Sequence, residues 1–446
     1  MLAVPGGLLD NRQEGCGPVA GMRIYFLLIT TLAVMSGFAA ASRAADLRGA
    51  PPERAACLSG PQSPPSGTSE FGDKATGDWL GLRGRLKQAG ITVEASLVLE
   101  GFKNFRGGIR TTPLVGASTF DLSLGLDTEK LFNWKGGKFY VTLEDHAGRN
   151  PTQLLVGDLQ VFDKLNTAPY LQVFELWYQQ VLWDGKLRLK IGKVDANTEF
   201  SVIDNGLAFL NSSAQVSPTV FIFPTTPDPM PAVNVFFSPE DSYYVGLGAY
   251  YANRSVDFGN LTGSPQNAQL SNNGSFWIGE TGVRWEKAPL LTNRGNLKLG
   301  LWGHTGTFPR ISGSPQRGTY GFYAVFNQTI WQPAGASENG RGVRMFLTYG
   351  RTQRSITPIY QHCGGGVTWT GLLAARPKDI VGFSPQFAQL SPQAGLPFSY
   401  ELALETFYQL KIQRWAVLMP DLQFIVHPGG QYRNALVGTL HMKVNF

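Results

Sequence analysis

Charged residues are scarce in this chain. Only 16% of its 446 residues are Asp, Glu, Lys or Arg, whereas soluble domains average about 25%. The 38 Lys and Arg residues outnumber the 32 acidic ones and give a net charge of +6, but they are scattered rather than gathered in a run. Since a nucleic-acid-binding face needs clustered cations, the sequence predicts no nucleic-acid partner.

Cysteine is also rare, with three in the chain. Cys57 and Cys363 are the two that follow residue 22, and either one disulfide or two unpaired thiols is compatible with their positions. His362 and Cys363 are adjacent, but no second pair at ligand spacing follows them. We therefore expect neither a metal site nor a cofactor.

Catalytic motifs are missing from the sequence. There is no Gly-x-Ser-x-Gly elbow, no His-Glu-x-x-His and no Gly-Lys-Ser/Thr phosphate loop. Glu401 and Glu405 lie four residues apart, which on one strand is about 13 Å and too far for the carboxylate pair of a glycosidase. The sequence predicts a protein that is not an enzyme, with a β-rich outer-membrane enzyme and a secreted sugar-binding protein as the alternatives.

The N-terminal region has the plan of an export signal. Residues 22–45 begin with Arg23, continue through an apolar core from Ile24 to Val34 and end in small residues, a pattern typical of a secretory signal peptide. An uncleaved anchor is the alternative. We expect translation to begin at Met22, so that residues 1–21 reflect a start codon assigned too far upstream. Residues 46–76 are expected to form a Pro-, Gly- and Ser-rich leader.

A short amphipathic helix is predicted over 77–90, capped by Asp78 and ended by Gly90. After it, apolar and polar residues alternate with a period of two to the end of the sequence. Phe120, Leu122 and Leu124, for example, alternate with Asp121 and Ser123. Sixteen such segments are predicted within 91–446, starting near residues 91, 117, 136, 170, 185, 229, 241, 274, 294, 318, 341, 365, 379, 398, 416 and 434. A soluble sandwich would alternate in the same way.

Aromatic residues and the polar face favour a membrane barrel over a sandwich. Trp and Tyr cluster at segment ends, as at Trp177, Tyr178 and Trp183, which is typical of the aromatic girdles of outer-membrane barrels. The polar face mixes both charges, which suits a hydrated lumen. The sequence thus predicts an all-β fold, a transmembrane antiparallel β-barrel of about 16 strands with a short N-terminal periplasmic helix. Sixteen strands leave an aqueous channel.

Four stretches of the chain resemble the OprB family of carbohydrate-selective porins. They are "GDWLGLRGRLKQAGI" (77–91), "ELWYQQVLWDGKLRLKIGKVDANTEF" (175–200), "ENGRGVRMFLTYGRT" (338–352) and "PDLQFIVHPGG" (420–430). Leu80 departs from the family, which often has Gly there. The resemblance implies a sixteen-stranded, commonly trimeric barrel of the Gram-negative outer membrane, through which mono- and oligosaccharides diffuse passively into the periplasm. A channel of other or broad specificity is the alternative.

Candidate pore-lining residues follow from strand parity, the rule that alternate residues of a strand face opposite sides of the wall. Sugars offer hydroxyls to charged and amide groups, and C–H faces to aromatic rings. The inward-facing residues and the polar residues that follow the fifth strand are therefore predicted to line the pore and bind sugar: Glu175, Trp177, Lys186, Arg188, Lys190, Asp195, Asn197, Glu199, Glu280, Arg284, Trp302, Arg344, Glu401, Glu405 and His427. The long connection through 205–231 is predicted either to fold into the barrel as a constriction loop or to lie against its rim.

Overall fold

A computed structural model describes residues 70–252, 259–262, 274–287, 293–337 and 340–446. Several predicted features lie outside this range. They are the upstream segment 1–21, the signal peptide, Cys57 and all but the last residues of the predicted leader. In the described part of the chain, no helix has the length and apolar character needed to cross a membrane.

Sixteen long antiparallel strands close into a barrel, because β1 pairs with both β2 and β17. A further three-residue strand, β8, pairs with β4. The strands are β1 (Ile91–Arg106), β2 (Val115–Asp127), β3 (Gly137–Gly148), β4 (Tyr170–Leu182), β5 (Leu187–Val194), β6 (Met230–Glu240), β7 (Tyr243–Tyr251), β8 (Asn260–Thr262), β9 (Ser275–Trp285), β10 (Gly295–Phe308), β11 (Gln316–Trp331), β12 (Gly342–Thr352), β13 (Ile359–Thr370), β14 (Ile380–Leu390), β15 (Tyr400–Lys411), β16 (Ala416–Val426) and β17 (Ala435–Asn445). The predicted fold class is confirmed.

The long strands begin where the alternation predicts them, with one exception. Strand β13 starts at Ile359, whereas the predicted start is residue 365. The predicted start is six residues late because it falls within the glycine run that begins at Gly364, where low strand propensity weakens the local pattern. In the barrel this glycine gives room to a side chain of the next strand, since a Cβ on Gly364 would lie 1.7 Å from Oε1 of Gln386.

The two faces of the wall differ in chemistry. Large apolar side chains such as Leu122, Leu247 and Leu440 point outward and are 40%, 57% and 53% exposed. Polar residues such as Ser123, Glu280 and Gln423 alternate with the apolar ones and point inward, where they are buried. An apolar outer face around a polar interior is the arrangement that a lipid bilayer requires.

The barrel has one end with short connections and one with long loops. Residues 183–186, 241–242 and 412–415 are short connections, whereas residues 149–169 and 195–229 are long ones at the opposite end. Outer-membrane barrels have short periplasmic turns and longer extracellular loops. We refer to 149–169 as loop A and to 195–229 as loop B.

The predicted N-terminal helix lies at the short-connection end but is shorter than predicted. Helix α1 spans Leu82–Gln88, because Trp79 and Leu80 have left-handed φ angles of 50° and 59°. The helix is N-capped at Gly81 without a side-chain bond, although the Asp78 carboxylate accepts a hydrogen bond from the amide of Gly84 in the first turn, at 2.8 Å. The left-handed conformation of Leu80 explains why glycine suits this position. The other α-helices in the described residues, α2 (Thr128–Phe132) and α3 (Ser212–Gln215), are single turns.

Apolar packing occurs inside the barrel as well as on its lipid face. Phe209 of loop B packs edge-on against Phe346 and Phe407 of the wall, with ring centroids 5.8 and 5.0 Å away. Phe162 of loop A packs in the same way on Phe102, at 5.8 Å. The long loops therefore carry their own hydrophobic cores and fill part of the lumen.

Inward-facing glycines make this packing possible. The ring of Tyr323 lies over Gly300 on the neighbouring strand, where an added Cβ would come within 2.0 Å of it. Tyr244 lies over Gly282 in the same way, at 2.1 Å. The rings lie flat along the wall because no side chain stands beneath them.

Candidate functional site

Loop B is held inside the lumen by side chains of the barrel wall. Glu405 of β15 accepts hydrogen bonds from the amides of Leu210 and Asn211, at 2.6 and 3.2 Å. Glu280 of β9 accepts from the amide of Ser201 at 2.8 Å. These bonds place loop B within the barrel and exclude the alternative in which it lies against the rim.

Cations of the wall bind the same loop. The Lys298 ammonium donates to the carbonyl of Val202 at 2.6 Å and pairs with Asp204 at 2.8 Å. The amide of Asn205 donates to Asn327 Oδ1 at 3.0 Å. Loop B is thus held by side chains of several strands and narrows the bore.

Loop A folds into the lumen as well, and the sequence analysis did not predict it. Glu401 of β15 accepts hydrogen bonds from the amides of Leu159 and Gln160, at 2.9 and 2.8 Å, and from the amide of Gly429 at 2.6 Å. Four apolar loop residues are buried there: Leu155, Val156, Phe162 and Leu165. Such residues in a long outer connection without strand alternation were the signal that could have revealed it.

The two loops also touch each other. The amide of Ser212 donates to the carbonyl of Val161 at 3.0 Å, and the hydroxyl of Ser213 donates to the carbonyl of Gln160 at 3.3 Å. Together the two loops narrow the channel. They are anchored by Glu401 and Glu405, which lie four residues apart on β15.

One cluster brings six of the predicted residues together where β4 and β5 meet loop B. Arg188 Nη2 pairs with Glu199 Oε2 at 2.6 Å, and Lys190 pairs with the other oxygen of the same carboxylate. The Lys190 ammonium also lies 4.0 Å above the ring of Trp177. Glu175 accepts from the amide of Asp195 at 3.0 Å.

The pKa values of the two loop carboxylates in this cluster are shifted in opposite directions. Burial acts to raise the pKa of Glu199, but the charges of Lys190 and Arg188 outweigh it and lower that pKa to about 2. Burial raises the pKa of Asp195 to about 6, although its side chain accepts a hydrogen bond from the amide of Asn197. Glu199 therefore keeps its negative charge at neutral pH and well into the acid range.

The remaining predicted residues are distributed around the wall. Trp302 is buried and stacks on Phe276 with a centroid distance of 6.0 Å. Arg284 lies 5.2 Å from the ring of Tyr244, and Arg344 donates to the carbonyl of Gly340 at 2.8 Å. Lys186 lies in the exposed turn between β4 and β5, so the alternation that predicted its direction does not extend to it.

His427 lies at the outer end of the barrel. It follows β16 with a left-handed φ of 52°, and its ring stacks in parallel on Phe398 with centroids 3.7 Å apart. These rings line a cavity of about 400 Å³, together with Arg106, Gln431, Tyr432, Arg433 and Asn434. Guanidinium, amide and aromatic groups thus meet in one cavity at the outer mouth.

The structure separates the adjacent His362 and Cys363. His362 is buried on the inner face of β13, where its Nδ1 lies 3.3 Å from the Ser217 hydroxyl of loop B, whereas Cys363 is exposed on the outer face. Across the described ranges, no group of three or more His, Cys, Asp or Glu residues is placed to hold a metal ion.

Comparison with known proteins identifies the fold and its function. Residues 115–446 match the family model described as "Carbohydrate-selective porin, OprB family". The chain belongs to the OprB family. It is a carbohydrate-selective porin, a non-enzymatic β-barrel channel of the Gram-negative outer membrane.

Individual relatives agree with this assignment. Porin B of Pseudomonas aeruginosa is 26% identical over 423 residues, covering 83% of this chain and 90% of that protein. The high-pH structure of Pseudomonas putida OprB superposes with a TM-score of 0.74 at 21% identity, over 84% of this chain and 98% of that one. The low-pH structure of the same porin gives a TM-score of 0.57 at 19% identity, with the same coverage.

Proposed function

We propose that mono- and oligosaccharides cross this OprB porin passively, through the opening that loops A and B leave beside the barrel wall. The observation that carries the proposal is the pair of anchored loops, since a sixteen-stranded barrel without them would hold a wide aqueous channel. Trp177, Arg188 and Asn197 are partly exposed, and we propose that they lie beside this opening. Their chemistry suits the C–H faces and hydroxyls of sugars.

The predicted pore-lining residues divide into two groups with different proposed roles. Glu280, Glu401 and Glu405 are at most 3% exposed and accept hydrogen bonds from loop amides. We assign them, with Glu175, to holding the loops and thereby setting the bore. Direct sugar contact is assigned to Trp177, Arg188 and Asn197 and to the outer cavity that includes His427.

Sugar titration of single channels in planar bilayers tests this assignment. Ion conductance should fall as a mono- or oligosaccharide is added, and Trp177→Ala should weaken the block by roughly fivefold, since a ring contact contributes about 1 kcal/mol. Trp277→Ala is the matched control, because Trp277 is exposed on the lipid face. Unchanged block in Trp177→Ala would contradict the sugar contact.

A panel of solutes tests the selectivity of the pore. Sugars should block the open channel more strongly than polyols or organic acids of equal size. Equal block by every solute would favour the alternative of a broad-specificity channel while leaving the pore itself intact.

The homotrimer, contact with outer-membrane lipid and the signal peptide are supported by the family likeness or the sequence and stay predictions. The mass of the detergent-extracted protein in native mass spectrometry tests the assembly, with three chains expected. The N-terminal sequence of the mature protein tests the signal peptide, and a start beyond residue 45 is expected.

A further inference from the structure

Lys164 is a cation of loop A that the loop contacts described above do not use. It lies between Asp163 and Leu165, which are 0% and 6% exposed, yet Lys164 is itself exposed. Across the described part of the chain, no ion pair and no side-chain hydrogen bond involves its ammonium group. Lys164 can therefore donate hydrogen bonds to a ligand.

The neighbours of Lys164 along loop A fix its place in the barrel. The ring of Phe162 packs on β1, and the carbonyl of Phe162 accepts a hydrogen bond from Nε2 of Gln423 on β16, at 2.8 Å. The amide of Leu165 donates to Oδ1 of Asp163 at 2.8 Å, so the backbone folds tightly around Lys164. The backbone is thus held against the wall while the lysine side chain extends from it.

Inward-facing side chains of three strands surround the Lys164 ammonium. Its charge acts on Glu100 of β1, Asp121 of β2 and His441 of β17, which places it in the lumen. Glu100 and His441 are buried and joined by a hydrogen bond of 2.6 Å, whereas Asp121 is partly exposed. Lys443 of β17 acts on Asp121 as well. Asp121 is therefore the carboxylate near Lys164 that a solute can reach.

Lys164 and Asp121 lie on the side of the lumen where the proposed opening runs. Loop B is bonded to Asn327 of β11, which is halfway round the ring of strands from β2. One oxygen of Asp121 accepts a hydrogen bond from the Ser96 hydroxyl at 3.2 Å, which orients the carboxylate on the wall. A solute that passes beside loop A meets a donor on the loop and an acceptor on the wall.

This pair matches the chemistry of neighbouring hydroxyls on a sugar. An ammonium group donates to a hydroxyl oxygen, and a carboxylate accepts from a hydroxyl hydrogen. Hydrogen bonds with a charged partner are stronger than those between neutral groups.

We infer that Lys164 and Asp121 together bind two neighbouring hydroxyls of a sugar in transit, and that they determine which sugars the pore prefers. The inference rests on the proposed function, because it concerns the same passage. It gives loop A a role in selecting the sugar in addition to narrowing the bore.

Sugar titration of single channels in planar bilayers tests the inference, with glucose and singly deoxygenated glucoses as probes. K164Q and D121N should each weaken the glucose block roughly tenfold, as expected for the loss of a hydrogen bond to a charged group. The native channel should discriminate against an analogue that lacks a bound hydroxyl, and K164Q should lose that discrimination. K164R should retain most of the block.

Two further measurements separate sugar binding from a general effect of charge. K164Q should shift the reversal potential in a salt gradient toward cation selectivity, because a lumenal cation is removed. In the double variant K164Q/D121N the block should fall by less than the product of the two single losses, because the two groups hold one sugar.

The matched controls are K103Q and D145N, which change the same charges on the outer face. Lys103 lies between Phe102 and Asn104, which both contact loop A, so it points outward. Asp145 is exposed and is paired with Phe120 on the outer face. Both controls should show native block and native reversal potential.

The outcomes distinguish this inference from the proposed function. Native block in K164Q or D121N, an unchanged reversal potential in K164Q, independent losses in the double variant, or equal losses in the controls would each overturn the inference and leave sugar passage intact. Absence of sugar block in the native channel would overturn both. If D121N forms no channels, K164Q with the deoxygenated glucoses provides the reading.

Discussion

Loops A and B fold into the same lumen, but opposite electrostatics hold them there. Loop B brings acidic residues to wall cations: Glu199 lies between Arg188 and Lys190, and Asp204 pairs with Lys298. Loop A brings two buried acids, Asp158 and Asp163, toward wall acids. Burial, followed by the nearby charge of Glu401, raises the pKa of Asp158 well above its usual value, and burial with Glu100 does the same for Asp163.

This difference determines what each loop needs in order to stay in place. Ionisation of Glu199 stabilises loop B, because its pKa is lowered, whereas protonation of Asp158 and Asp163 stabilises loop A, because their pKa values are raised. Protein interiors stabilise a buried charge by an opposite charge or by neutralising it, and this barrel uses both solutions a few residues apart. The two loops should therefore respond to opposite extremes of pH.

Removal of the wall anchors should have the largest effect. Glu401→Leu leaves the amides of Leu159, Gln160 and Gly429 without their acceptor, and Glu405→Leu does the same to Leu210 and Asn211. Each loss should cost roughly 3–5 kcal/mol and release one loop. Single-channel conductance should rise and sugar block should weaken in both variants.

Thr406→Val on the same strand is the control for these variants, because Thr406 lies on the outer face of β15. It should conduct like the native channel. Native conductance in Glu401→Leu or Glu405→Leu would show that the corresponding loop does not depend on its carboxylate anchor.

Acid should release loop B. The pKa of Glu199 is about 2 in the folded chain, below its unfolded value of about 4.5, so its stabilisation is present above the unfolded pKa and is lost as the pH falls through about 2. The loss amounts to about 3 kcal/mol. Conductance noise measured from pH 6 to pH 2 should increase at the acid end.

Glu199→Gln should show this noise already at pH 6. It should also shift the reversal potential in a salt gradient toward anion selectivity, because Arg188 and Lys190 lose their counter-charge. An unchanged reversal potential would mean that the cluster does not face the permeating ions.

Alkaline pH should release loop A by the opposite route. The folded pKa of Asp158 is raised, so its stabilisation is complete below the unfolded pKa and is lost as the pH rises through the folded one. Conductance noise should grow toward alkaline pH in the native channel. Asp158→Asn, which cannot ionise, should reduce this dependence, Asp163 accounting for the rest, and undiminished noise in Asp158→Asn would contradict the role of Asp158.

The smallest effect is expected at the contact between the loops. Ser213→Ala removes the hydrogen bond to the carbonyl of Gln160 and should cost about 0.5–1 kcal/mol. A double-mutant cycle with Glu405→Leu, read from conductance noise, tests whether the loops move separately. Additive effects would indicate independent loops, and a coupling energy above about 0.5 kcal/mol would indicate one unit.

The strand pattern of the wall was predictable because a barrel repeats one local rule. Each strand of a lipid-facing sheet must alternate apolar and polar residues, so the starts of β4 at Tyr170 and β16 at Ala416 are read directly from the chain. Parity also gave the inward direction of Glu280, Arg344 and Glu405. Parity did not predict the direction of Lys186 correctly, because that residue lies in a turn where the alternation ends.

The roles of those inward residues were not predictable in the same way. Glu401 and Glu405 have the same spacing and parity in the sequence, yet one holds loop A and the other holds loop B. The loop A partners of Glu401 lie about 240 residues away along the chain. No local pattern encodes such a distance, and the infolding of loop A was missed for this reason.

The sequence by itself determined the barrel, its strand number and the chemistry of its two faces, because these follow from a period of two imposed by lipid on one side and water on the other. The tertiary structure alone decided which inward charges remain open to the channel and which are buried beneath a loop. That distinction depends on closing the wall, since only a closed barrel brings loops A and B against strands from the far end of the chain.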